Sequence, residues 1–179
     1  LMGLQHIKAI AKSKKATPFT YKRLAGELSK LEHVENGNNK YFKIKNLDGI
    51  NIYPNSEDAL FWLAVIDGPP ETPYEKGKFQ LAIRFLENYP MKPPSVQFLD
   101  IPFHPNVYRD GKICVDILQS EWSPAMNVEK VLVSIRSLLM DPNPKSPANR
   151  DAAKLFSENY DEYCKRVRTR IDNMVTKKF

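Results

Sequence analysis

His104-Pro105-Asn106 stands eight residues ahead of a cysteine in the run His-Pro-Asn-Val-Tyr-Arg-Asp-Gly-Lys-Ile-Cys, which ends at Cys114. Pro105 stiffens the first turn. Gly111 marks a second turn, and Cys114 opens a short apolar run from Val115 to Leu118. These residue types suit acyl transfer. A thiol carries an acyl group as a thioester, and a fixed amide donor such as Asn106 stabilises the oxyanion formed when that thioester is attacked. Two other readings stand beside this one. Free cysteines are commonly buried structural residues, and His104 invites comparison with the Cys/His dyad of a hydrolase.

The same segment resembles the active site of ubiquitin-conjugating enzymes. The likeness continues through Trp122-Ser123-Pro124-Ala125, Asp141-Pro142-Asn143-Pro144 and Ser146-Pro147-Ala148-Asn149. Upstream it takes in Gly68-Pro69, Thr72-Pro73-Tyr74 and Tyr89-Pro90-Met91-Lys92-Pro93-Pro94. The ordered set is more specific than any one motif. Phe103 to Tyr108 and Ser146 to Asn149, with Ala152-Ala153, look most like the branch tied to DNA-damage tolerance and histone ubiquitination.

The resemblance implies a set of roles. Cys114 accepts the C-terminal glycine of ubiquitin from an activating enzyme, then passes it to a lysine amine or to a ligase cysteine. His104 and Pro105 hold the loop, and Asn106 stabilises the oxyanion. Tyr108, Asp116, Asn143 and Ser146 form the platform for the incoming lysine, whose free pKa of about 10.4 leaves little of it nucleophilic at neutral pH. Desolvation lowers that pKa, while a nearby carboxylate orients the amine. Ser146 stands where many relatives carry an acidic residue; phosphorylation at Ser146-Pro147 would restore negative charge. Arg23, Pro90, Met91, Lys92, Ser123, Pro124 and Ala125 form a ligase-facing set. Lys130, Val133 and Ser137 form the face for the donor ubiquitin.

The implied partners are ubiquitin, the activating enzyme, ligases of RING type and substrate proteins, met by a monomer. No bound cofactor is expected, since ATP is consumed by the activating enzyme, and Gly68-Pro69-Pro70 and Gly77-Lys78 lack the spacing of a phosphate loop. Alternatives are conjugation of another ubiquitin-like modifier, a non-catalytic ubiquitin-binding scaffold, and a cysteine hydrolase. Cys114 reaches Trp122 without an insertion, which favours ubiquitin; a scaffold would generally lack the cysteine; a hydrolase needs a histidine that activates it.

Charge and composition narrow the field further. The formal net charge is +6, but the cations are spread over the N-terminal arm, Lys22-Arg23 and Lys165 to Lys178. That spread points to charged protein partners rather than direct nucleic-acid binding. No apolar run approaches the roughly 18 residues of a membrane span, and the start of the chain lacks the pattern of a secretory signal. Cytoplasmic and nuclear localisation follows as an expectation, with Cys114 and Cys164 as free thiols. Two cysteines and three histidines show no metal-ligand spacing, so no metal is expected. Leu1 is not an initiator methionine, which suggests a longer product upstream or a cloning remnant.

These residues need a scaffold, and the pattern predicts an α+β fold: a four-stranded antiparallel meander sheet with an N-terminal helix and C-terminal helices. Residues 1–16 read as a basic extension and 17–179 as one catalytic domain. Thr17-Pro18 starts a helix whose apolar positions are Tyr21, Leu24, Leu28 and Leu31. Strands are predicted at about 41–46, 50–53, 59–66 and 78–86, with an edge strand at 95–99 and a turn at Asn36-Gly37. Phe79, Leu81, Ile83 and Phe85 alternate with Lys78, Gln80, Ala82 and Arg84, the mark of a half-buried strand. Three helices follow: one capped by Asn127, one from about Asn149 to Ser157, and one built on Tyr163, Val167, Ile171 and Met174.

Overall fold

A computed structural model describes residues 16–31, 33–35, 43–44, 48–55 and 57–174. The basic arm, the Asn36-Gly37 turn, most of the predicted 41–46 strand and the last five residues lie outside the described residues. The elements run α1 (Pro18–Lys30), β1 (His33–Glu35), β2 (Lys43–Ile44), β3 (Ile50–Pro54), β4 (Phe61–Asp67), β5 (Lys78–Arg84), β6 (Ser95–Phe98), α2 (Val128–Met140), α3 (Arg150–Glu158) and α4 (Tyr160–Asp172). A 3-10 turn at Asp116–Leu118 follows the candidate cysteine.

The helices begin where cap chemistry dictates. The Thr17 hydroxyl accepts from Thr20 N, with Pro18 in the first turn. The side chains of Asn127 and Asn149 accept from Lys130 N and Ala152 N. Each satisfies a donor that the first helical turn leaves without a partner.

The sheet is an antiparallel meander in chain order. Its four longer strands, β3 to β6, match the predicted 50–53, 59–66 and 78–86 strands and the 95–99 edge strand; β2 falls within the predicted 41–46, and β1 extends the sheet to six. β1 escaped the sequence reading because three residues carry no alternation. Cross-strand rows set the core face: Ile52 pairs with Ala64, Ala64 with Leu81, and Leu81 with Phe98. That face, with Ile50, Trp62, Ile66, Phe79, Ile83 and Val96, shares one core with Leu24 and Leu28 of α1 and Val131, Leu132, Ile135 and Leu139 of α2. Gln80 departs from the predicted alternation. It is buried, because the chain after β6 folds back and Leu99 N donates to its carbonyl at 2.8 Å.

Two glycines sit where no side chain fits. A Cβ on Gly68 would lie 1.7 Å from the Tyr74 carbonyl oxygen. Gly111 has φ +87 and its Cβ would lie 2.1 Å from the Phe98 carbonyl oxygen.

One buried carboxylate ties the first helix to two distant loops. Glu27 accepts from the Tyr89 hydroxyl, from Val128 N at 3.0 Å and from Arg23 Nε at 2.8 Å. Arg23 in turn donates to the carbonyls of Pro124, at 2.7 Å, and Met126. The Thr20 hydroxyl, also buried, reaches the Tyr89 carbonyl at 2.8 Å. Removing the carboxylate strands a buried hydroxyl and a buried N–H, and leaves the Arg23 Nε–H without its acceptor. Glu27→Ala is therefore expected to lower the unfolding free energy by about 3 kcal/mol, read from urea denaturation. A loss below about 1 kcal/mol would show that the loops hold without it.

Candidate active site

The loop from Phe103 to Asn106 is irregular backbone in the protein interior, so its polar groups need partners. His104 supplies two. Its Nδ1 accepts from Asn106 N at 2.9 Å, which leaves Nε2–H to donate to the Leu138 carbonyl at 2.8 Å. The ring is fully buried, and burial pushes its pKa down to about 4, against a smaller opposing effect of the Leu138 carbonyl. A neutral imidazole with both nitrogens committed has no lone pair left for a thiol. The Cys/His dyad is thereby excluded for His104, and with it the route by which this histidine would make the chain a hydrolase.

Asn106 is 1% exposed, and every polar atom of its side chain is engaged. Oδ1 accepts from Asn143 N at 2.8 Å, while Nδ2 donates to Asn143 O at 2.8 Å and Ser146 O at 3.3 Å. The Pro105 carbonyl accepts from Ala148 N at 2.8 Å and Asn149 N at 2.9 Å. Two proline-rich segments, 105–106 and 143–149, are thus stitched together without a strand between them.

The chain then reverses. Tyr108 N donates to Lys112 O at 2.9 Å, Gly111 N to Tyr108 O at 3.0 Å, and Cys114 N to Asn106 O at 2.9 Å. Gly111 makes this hairpin possible, since its positive φ penalises any side chain. The hairpin brings Cys114 beside the asparagine that precedes it by eight residues. Cys114 is half-buried, whereas Cys164 is 9% exposed within the core. Access separates the two thiols. Tyr108, Asp116, Asn143 and Ser146 are all exposed around this loop cluster.

This arrangement has counterparts in known proteins. The sequence profile of the family described as "Ubiquitin-conjugating enzyme" matches residues 27–171. The chain belongs to the ubiquitin-conjugating enzyme family. It is 52% identical over 124 residues to ubiquitin-conjugating enzyme E2 2 of Mycosarcoma maydis, covering 69% of this chain and 67% of that one. Ubiquitin-conjugating enzyme E2 3 of Arabidopsis thaliana is 54% identical over 119 residues, 66% of this chain and 79% of its own. A Plasmodium yoelii crystal structure described as a ubiquitin conjugating enzyme superposes with TM-score 0.76 at 33% identity, over 90% of this chain and 99% of that one. The protein is thus a transferase that works through a cysteine thioester, with ubiquitin, an activating enzyme and ligases as partners.

The enzyme's remaining candidate residues fall on two surfaces. Met91 is 64% exposed, Lys92 is exposed beside it in sequence, and Pro124 and Ala125 are exposed on the loop whose carbonyls Arg23 holds. Ser123 is half-buried, and Pro90 is buried, offering its carbonyl to Trp122 Nε1 at 2.9 Å. Pro90 thus shapes its loop from within, and Arg23 braces the 123–126 loop from beneath. Lys130, Val133 and Ser137 are exposed together on α2, opposite the buried stripe that holds Val131, Leu132 and Ile135. Among the described residues no group of three His, Cys, Asp or Glu gathers as a metal site, and no helix is long and apolar enough to cross a membrane.

Sequence reasoning missed the bracing groups. Tyr74 donates to the Phe103 carbonyl at 2.6 Å and meets the Tyr163 hydroxyl at 2.5 Å. Burial raises the pKa of both tyrosines, so they remain neutral bridges between α4 and the loop. Tyr74 was visible in Thr72-Pro73-Tyr74 but nothing local gave it a partner. Glu27 carried a local signal, an acid four residues after Arg23.

His104 makes the enzyme's stability sensitive to acid. The unfolded imidazole takes a proton near pH 6.5 and the folded one only near 4. Between those values the unfolded state binds more protons, so stability falls as pH drops through 6.5 and the loss levels off below about 4. From pH 7.5 to 5.0, the wild type is expected to lose about 2 kcal/mol more than His104→Gln. Urea unfolding at the two pH values measures this; equal losses would show that His104 does not titrate there.

Proposed function

We propose that Cys114 is the thioester-forming nucleophile, and that the enzyme moves ubiquitin from the activating enzyme to lysine amines with the help of RING-type ligases. The observation that carries this is the hairpin that sets the accessible Cys114 against the buried His104-Asn106 loop, with Cys114 N bonded to Asn106 O. In the first step the Cys114 thiolate attacks the carbonyl carbon of the activating enzyme's thioester. A new C–S bond forms and the departing thiolate stays on the activating enzyme. In the second, a substrate lysine in its neutral form attacks the Cys114 thioester. The C–S bond breaks, Cys114 leaves as thiolate, and the ammonium proton passes to solvent.

Tyr108, Asp116, Asn143 and Ser146 line the approach of that amine, and Asp116 is the acidic member that orients it. Asn106 has two duties. At rest its amide braces the 143–146 segment. Its bond to Ser146 O, at 3.3 Å, is the longer of its two donations and is the one to yield when an oxyanion develops nearby. The ligase-facing set is Met91, Lys92, Ser123, Pro124 and Ala125, built on Arg23 and Pro90; the donor ubiquitin lies on Lys130, Val133 and Ser137. The motif likeness at Phe103–Tyr108 and Ser146–Asn149 favours the DNA-damage-tolerance and histone-modifying branch, a monomeric catalytic domain, and work in cytoplasm and nucleus.

Incubation with activating enzyme, ATP and ubiquitin is expected to give a reductant-sensitive adduct of one ubiquitin mass on a gel. Cys114→Ala abolishes it and Cys164→Ala keeps it; an adduct that survives Cys114→Ala sinks the assignment. Asn106→Ala is expected to load ubiquitin yet discharge it to free lysine roughly 100-fold more slowly. Discharge at the wild-type rate would remove Asn106 from the chemistry.

A further inference from the structure

The α4 helix carries a cluster of cations to which the proposed thioester chemistry gives no part. Lys165, Arg166, Arg168 and Arg170 are all exposed on it. Two of these cations are held still. The Arg166 guanidinium lies over the Phe103 ring, 4.6 Å from its centroid. Arg170 donates from Nε to the Ile101 carbonyl at 2.8 Å. Both anchors leave the outer N–H groups of the fork free, and neither guanidinium has a carboxylate partner among the described residues. One helical turn separates them, so they stand side by side.

Between α4 and the Ile101–Phe103 segment lies a cleft of about 500 Å³, lined by Phe103, Lys165, Arg166, Thr169, Arg170 and Asn173. Its one acidic neighbour, Glu162, sits 3.9 Å from Lys165, so the two arginines leave the cleft net positive. Its floor is rigid: Phe103 packs on Tyr163 at 6.0 Å and its carbonyl is held by Tyr74. Arginines fixed before binding lose little entropy when they close on a planar anion, and their forks match a carboxylate with two parallel hydrogen bonds.

We infer that this cleft is a docking site for a carboxylate-rich segment of a partner protein. A protein segment fits better than nucleic acid. The aromatic face that would stack a base, Phe103, is already covered by Arg166, while Glu162 is offset by its ion pair with Lys165. The overall charge of +6 adds long-range attraction for acidic partners. Phe103 directly precedes His104, so the cleft floor is continuous in sequence with the loop that carries Asn106.

The test is direct binding and does not depend on thioester formation. The isotope-labelled full chain is titrated with a short peptide of alternating Asp and Glu at about 50 mM salt, where screening is weak. Amide shifts at Phe103, Thr169 and Asn173, and at the Arg166 and Arg170 Nε–H groups, are expected. Arg166→Glu with Arg170→Glu should weaken binding at least about 10-fold. Arg166→Lys with Arg170→Lys, which keeps charge but not the fork, should weaken it about 3-fold. Core amides unchanged from wild type check that each variant is folded. The inference is overturned by equal affinity in wild type and the charge-reversed variant, by shifts confined to another face, or by a DNA duplex that binds the same residues more tightly than the peptide.

Discussion

A buried imidazole and a buried carboxamide tie two segments that have no regular structure of their own to each other and to the end of α2. Inside a protein an unpaired peptide N–H or C=O costs several kcal/mol, and helices or sheets normally meet that demand. Residues 103–106 and 143–149, interrupted by Pro105, Pro144 and Pro147, form neither. His104 and Asn106 meet it instead, through the Asn106 N, Leu138 O, Asn143 N, Asn143 O and Ser146 O contacts. The position of Cys114 depends on this arrangement, because its own N–H bonds to the Asn106 carbonyl.

Glu27 plays the corresponding part at the other end of the molecule. There too a single buried polar side chain gathers groups from helix, loop and helix start, and Arg23 extends it to the 124–126 carbonyls. Neither node is strong because it is charged or polar. Each is consequential because its removal leaves several buried groups unsatisfied at once. The proposed ligase-facing loop at 123–126 rests on the Glu27–Arg23 node, so it is ordered before any partner arrives and binding there would cost less entropy.

The chemistry itself asks little of the enzyme beyond position. In the proposed mechanism the thioester supplies an activated acyl group, the substrate supplies the nucleophile, and the protein supplies a fixed thiol, an amide donor and an exposed polar rim. A scaffold of this kind is governed by which proteins it can hold beside the thiol. The exposed Met91, the α2 face around Val133 and the positively charged cleft on α4 differ in chemistry, so as proposed docking surfaces they would suit different partners.

From its residues alone, the chain's family, its meander followed by helices, and its nucleophile candidate could be stated. Those features are local: alternation in β5, caps at Thr17, Asn127 and Asn149, and an ordered series of proline motifs each reflect short-range sterics or periodic burial. Only the tertiary structure decided what the polar residues do. Nothing near His104 in sequence shows that Leu138, on another element, takes its proton. Nothing near Asn106 shows that both its amide hydrogens are committed to residues 143–146. The same holds for Glu27, Tyr74 and Gln80, whose burial arises from chain segments far away in sequence. Burial and hydrogen bonding are properties of where distant segments meet, so a side chain that is polar in the sequence becomes a brace or a spectator only once the fold has closed around it.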